Sequence, residues 1–206
     1  MRDVPQIRAQ NAYNCGLYSL WMALESLSGV DNALIKKIED KGVRHSDSMG
    51  GIFNYLTIER IVESLGYRAR RVHFHDRLSF VNYLNVHAND AILIAYSFDA
   101  RGGQQLAADS AANSAHWSVA ERFGGDFLRL ANPHGVRNWV KIADIVSANL
   151  QLKEGNFNWK KFVDDSKDDD LFKRQAKLYK NNPEELRKRG REKIQLGGYF
   201  IALSNA

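Results

Sequence analysis

Residues 10–28 read QNAYNCGLYSLWMALESLS, and the helix written into the second part of this stretch decides where the chain's single cysteine sits. Leu17, Leu20, Trp21, Leu24 and Leu27 recur at the spacing of one helical face, and Gly29 stops the pattern, so a helix is predicted over 15–28. Asn14 stands where an N-cap belongs. Cys15 therefore opens the first turn, where backbone N–H groups lack intrahelical acceptors and the helix dipole is positive; both favour a thiolate. Gly16 beside it leaves room for a substrate backbone. A solitary cysteine is commonly only a small buried hydrophobe. This one is singled out by its place at the start of a helix whose apolar face would anchor it.

Outward from that helix, residues 32–40 read as a short amphipathic helix, 41–51 as a polar loop and 54–65 as a helix ended by Gly66. Residues 67–74 alternate like a strand, and 77–86 read as a short helix. The run AILIAYS at 91–97 has the continuous apolar character of a strand buried on both faces. A polar loop over 98–114 follows, its glycines and alanines suited to a mobile cover. Residues 116–123 and 126–131 read as two strands joined across Gly124-Gly125, residues 137–142 as another strand before a short helix, and 197–203 as a last strand. Helices first and an antiparallel sheet after them make an α+β layout, expected as a single domain over 1–206.

A nucleophilic thiol needs a base, and His116 opens the first hairpin strand. With a three-residue loop Phe123-Gly124-Gly125, Arg122 pairs with Asp126 and His116 falls directly opposite Asn132 on the same face. An asparagine there accepts from one ring nitrogen and leaves the other for the thiol, the orienting role in a triad. A strict two-residue turn would put the two on opposite faces. Asn132-Pro133 also reads simply as a turn dipeptide. Gln10 offers a side-chain amide that, with the Cys15 N–H, suits an oxyanion hole; its plain reading is a surface glutamine. His134 lies two residues past Asn132 and reads as a turn histidine close to the site, while Trp117 suits either a shield over the His116–Asn132 bond or the core. His73 and His75 share a strand face, but no acidic or histidine partner pattern completes a metal site. Neither a metal nor a cofactor is expected.

One cysteine excludes an internal disulfide and Cys-rich metal sites and suits a reducing compartment. No run approaches a membrane span, and the first residues lack the apolar core of a secretory signal. The expected location is cytoplasmic, or inside a host or target cell reached without a classical signal peptide. Of the net charge of +5, residues 151–196 hold +4, from 13 Lys/Arg against 9 Asp/Glu. That segment is charged and mostly helical in pattern. It reads first as a solvated face and second as a contact for an acidic protein partner; the interleaved Asp168, Asp169 and Asp170 argue against nucleic acid.

Gln10-x4-Cys15-Gly16-Leu17 with the apolar helix behind it resembles the nucleophile segment of papain-like peptidases, most closely the C39-like group and the actin maturation protease family. The stretch 91–120, an apolar strand, a polar loop and then Ala115-His116-Trp117-Ser118-Val119, resembles the same family. The resemblance spans roughly 4–30 and 90–135, and its order, Cys then His then Asn, is the papain-like order. It implies a papain-like α+β fold and a cysteine peptidase acting on a protein or peptide substrate. Cys15 would be nucleophile, His116 base, Asn132 third member and Gln10 oxyanion donor. Many C39-like members carry Asp-Pro where this chain has Asn132-Pro133, and 150–196 has no counterpart. The same thiolate chemistry would serve a glutamine deamidase or acyltransferase, and an inactive scaffold binding an acidic partner is the reading from another class.

Overall fold

The computed structural model describes residues 1–10, 15–45, 55–99, 105–106, 115–152, 155–156, 193–194 and 196–206. The helix predicted at 15–28 is α1, Cys15–Ser28, and α2 (Leu34–His45) and α3 (Tyr55–Ser64) pack beside it. Strand β1 (Tyr67–His73) and helix α4 (Arg77–Val86) come next. A capping box between Asp76 and Ser79 starts α4. Then follow β2 (Ala91–Asp99), the two-residue β3 (Gln105–Leu106), β4 (Ala115–Gly124), β5 (Phe127–Asn132), β6 (Val136–Lys141) and α5 (Ile142–Leu150). Short β7 (Gly155–Asn156) and β8 (Lys193–Ile194) pair with each other, and β9 (Tyr199–Asn205) closes the chain.

One antiparallel sheet runs β1-β9-β2-β4-β5-β6, with β3 on the far end of β2. The architecture is α+β, although β1 and α4 precede the apolar strand, so helices and strands are not cleanly segregated in sequence. The C-terminal β9 slots between β1 and β2, which explains why its run is so apolar. Both faces of the sheet are covered. Ala91, Leu93, Ala95, Trp117, Val119, Ala131, Ile201 and Leu203 pack against α1 to α3; Ile92, Ile94, Ala120, Leu128, Leu130 and Phe200 pack against α4 and α5. Leu17, Leu20 and Leu24 of α1 are completely buried, and each such leucine is worth about 1.5–3 kcal/mol of apolar burial. The helix that begins at Cys15 is thus fixed by the core behind it.

Three expectations change. Residues 41–45 continue α2 instead of starting a loop. Phe98 and Asp99 extend β2 and pair with β3, inside what reads as the polar loop. The hairpin does not have the three-residue loop: Gly124 pairs with Phe127, and Gly125 (φ 58°) and Asp126 make a two-residue turn. The rest of the 98–114 cover, the Asn14 cap and the charged stretch 157–192 lie outside the described residues.

Candidate active site

With a two-residue turn the ladder pairs Arg122 with Arg129, and a regular continuation would place His116 and Asn132 on opposite faces. The register shifts between Ala120 and Arg122, so that Ala120 faces Leu130 and Val119 faces Ala131. Glu121 is the extra residue of this β-bulge. That single slip returns His116 and Asn132 to one face, two positions apart along the strands instead of directly opposed. The diagonal is short enough for contact: His116 Nε2 and Asn132 Oδ1 are 3.0 Å apart, with both residues buried. Glu121, fully buried, holds the bulge. It accepts from the Val4 N–H at 2.9 Å and from Arg137 Nε at 3.1 Å, and pairs with Arg129 at 2.9 Å.

The network also fixes the proton. Asn132 Oδ1 accepts from the His134 main-chain N–H at 2.9 Å, and Asn132 Nδ2 donates to Tyr96 Oη at 3.3 Å. An N–H can only donate, so the carboxamide oxygen must face His134, and the same oxygen meets His116. Nε2 of His116 is therefore the protonated nitrogen, and Nδ1 carries the lone pair of the neutral ring. Tyr96 Oη lies 2.9 Å from Ser118 Oγ, and its ring meets that of His116 edge-on at 5.6 Å.

Cys15 is half-buried and packs on the α1 side of the core. Beyond Val119, β4 has no β5 partner, and α1 takes that place. The Trp117 N–H bonds to the Cys15 thiol, and Ser19 Oγ donates to Trp117 O at 2.9 Å. Residues one helical turn apart thus grip the peptide next to His116, and the thiol acts electrostatically on Tyr96.

Gln10 reaches the same corner along the N-terminal segment. Its N–H donates to Pro133 O at 2.6 Å, in the turn just past Asn132. The segment is fastened upstream by Arg8, which grips buried Glu25 of α1 at 3.0 and 2.5 Å and lies over the Trp21 ring at 4.0 Å. All four expected residues therefore belong to one corner of the fold.

Burial dominates the electrostatics. It pushes the Cys15 thiol up to about 11, against the opposing pull of the Trp117, Gly16 and Cys15 N–H groups. Burial also pulls His116 down to about 4, opposed by its Asn132 bond and helped by His134 nearby. The resting pair is a neutral thiol and a neutral imidazole. The helix-terminus donors that the sequence points to are present, but desolvation outweighs them.

Other expectations resolve simply. The Trp117 ring does not cover the His116–Asn132 bond; it is buried on the α1 side, edge-on to Tyr55 at 5.5 Å. Tyr96 and His134 flank His116 instead, the latter stacked at 4.5 Å. Tyr96 escapes a reading of the sequence because it looks like one more residue of the apolar run. Its signal is register: it pairs with His116 across β2 and β4, and a buried phenol needs a partner. His73 packs on Tyr199, His75 is exposed, and the described residues hold no cluster of His, Cys, Asp or Glu suited to a metal. No helix among the described residues is long and apolar enough to cross a membrane.

No protein-family model and no curated protein matches this chain. Among solved structures it is similar to the crystal structure of a double glycine motif protease from an AMS/PCAT transporter in complex with the leader peptide. The identity is 16% and the TM-score 0.47, over 69% of this chain and 83% of that one.

Proposed function

We propose that this chain is a papain-like cysteine peptidase that hydrolyses peptide bonds through Cys15, His116 and Asn132, with Gln10 assisting. One observation carries the reading: the Nε2–H of buried His116 is held by Asn132 Oδ1 at 3.0 Å, one residue from the peptide N–H that meets the Cys15 thiol.

From the neutral pair, the Cys15 S–H gives its proton to Nδ1 of His116 as Sγ attacks the scissile carbonyl carbon. Asn132 stabilises the imidazolium through the bond it already makes to Nε2–H. The oxyanion takes hydrogen bonds from the Gln10 side-chain amide and the Cys15 N–H. The Nδ1 proton then passes to the leaving amine, and the C–N bond breaks to leave a thioester on Cys15. Water, losing a proton to Nδ1, attacks that thioester, and the proton returns to sulfur as the acid product leaves. The thiolate exists only transiently and inside a site that supplies three N–H donors to it.

The test is the product. A proteome treated with the wild type and with Cys15→Ala is mapped for new amino termini and for Gln→Glu changes. New termini made only by the wild type support the proposal. Intact chains with glutamine converted to glutamate and ammonia released would instead assign the shared thiol chemistry to deamidation.

A further inference from the structure

Gln10 reaches the corner of Cys15 and Asn132 on a stretch with no regular structure of its own. Residues 1–10 form neither helix nor strand, so their course is set by what they touch. Val4 ties the start of the segment to the sheet: its N–H donates to Glu121 at 2.9 Å, and its carbonyl accepts from Arg137 at 2.5 Å. Arg8 ties the end of it to α1. Its Nε and Nη2 donate to the two carboxylate oxygens of Glu25 at 3.0 and 2.5 Å, its guanidinium lies 4.0 Å from the centre of the Trp21 ring, and its main-chain N–H meets Met22 Sδ at 3.3 Å. Trp21, Met22 and Glu25 all belong to α1, the helix that begins with Cys15. Two residues beyond Arg8, the Gln10 N–H donates to Pro133 O at 2.6 Å.

Arg8 and Glu25 are both buried. A buried ion pair is a poor device for stability alone, because well-packed apolar residues in its place are often neutral or stabilising. What an apolar pair lacks is direction. Apolar side chains slide along a helix face at little cost, whereas a guanidinium held at two oxygens and laid on an indole has one position. Resting on the reading of Gln10 as an oxyanion donor, we infer that Arg8 is a positioning residue that fixes this segment to the helix of Cys15, so that the Gln10 amide and the Cys15 N–H keep one spacing. The two donors come from separate stretches of chain, and each must stand about 2.7–3.1 Å from the developing charge. A misplacement of about 1 Å can cost about 10²-fold in rate.

Two probes of the same sulfur isolate this role, each followed on Cys15 by mass spectrometry at one pH. With p-nitrophenyl acetate, Sγ attacks the carbonyl carbon, the thiol proton passes to His116, and the C–O bond breaks to release p-nitrophenolate and leave acetyl-Cys15; an oxyanion forms on the way. Iodoacetamide alkylates Sγ by displacing iodide, with no oxyanion. The ratio of the two rates reports the oxyanion donors and cancels changes in the thiol itself. Arg8→Met alone would strand the Glu25 carboxylate, so the variant is Arg8→Met/Glu25→Gln, which leaves no buried charge and keeps an oxygen for the Asp31 N–H. Its acetylation-to-alkylation ratio should fall about 10- to 10²-fold, while its urea midpoint stays close to that of the wild type. In a Gln10→Ala background the same two substitutions should change the ratio by less than about twofold, because Arg8 acts through Gln10. Arg8→Lys keeps a charge on Glu25, loses the fork and the flat stack, and should lower the ratio in the same direction; it carries the test if the paired variant does not fold. A wild-type ratio in either folded variant overturns the inference, as does an equal fall with and without Gln10. If Gln10→Ala itself keeps the wild-type ratio, the oxyanion assignment beneath the inference fails instead.

Discussion

His116 stores stability that acid should release. Burial holds its imidazole down at about 4 from an ordinary 6.5. Above pH 6.5 the ring is neutral in the folded and unfolded chain alike, and nothing is lost. As pH falls below 6.5 the unfolded chain takes up a proton that the folded chain refuses, so stability drops until the folded ring itself titrates near 4. At about 1.4 kcal/mol for each pH unit, roughly 3 kcal/mol disappears between pH 7 and pH 4. That is a large share of the 5–15 kcal/mol typical of a domain. His116→Gln removes the titration while keeping an amide donor for Asn132. Urea unfolding at pH 7 and pH 4 should show the wild type losing about 3 kcal/mol more than His116→Gln over that interval. Titrating groups common to both proteins cancel in the comparison. Parallel pH dependences would refute the claim that His116 is desolvated and neutral.

Three further outcomes follow from the site. Iodoacetamide alkylation of resting Cys15 at pH 7 should be about 10² slower than that of a free thiol and should climb towards pH 11, because burial holds the thiol neutral; a rate already on its plateau near pH 6 would show a preformed thiolate. Gln10→Ala should lower kcat by about 10²–10³, the usual loss for one oxyanion donor, with Asn132→Ala milder than Cys15→Ala; equal activity of Gln10→Ala and wild type in peptide cleavage would remove Gln10 from the site. Tyr96→Phe removes the hydroxyl that fixes the Asn132 amide, at 3.3 Å, and should lower kcat with KM unchanged; a change in KM alone would mark Tyr96 as a substrate contact.

The helix at 15–28 is legible to the residue because its apolar face and its stop signal are local. The strand at 91–97 is legible because a strand covered on both faces has no polar side to alternate with. The meeting of His116 and Asn132 is legible, but the path to it is not. Sequence parity demands a three-residue loop, and the chain solves the same problem with a two-residue turn and a bulge. Glu121 makes that bulge, and a glutamate in a strand reads as solvent-facing until its partners Val4, Arg129 and Arg137 arrive from distant segments. The ionisation of the site escapes for a similar reason. Helix-terminus donors are written next to Cys15, whereas desolvation comes from everything packed around it. His134 looks incidental in a turn dipeptide context, and its stack on the His116 ring depends on a turn with Gly135 in the left-handed conformation.

The central claim is that Cys15 forms the acyl-enzyme and His116 drives it. An acid-quenched mixture of the protein with a peptide pool, read by intact mass and peptide mapping, tests this directly. A hydroxylamine-labile acyl adduct on Cys15 is the predicted result, present in the wild type, sharply reduced in His116→Ala and absent in Cys15→Ala. Peptide cleavage that persists in Cys15→Ala, or no adduct on Cys15 while the wild type cleaves, would contradict it.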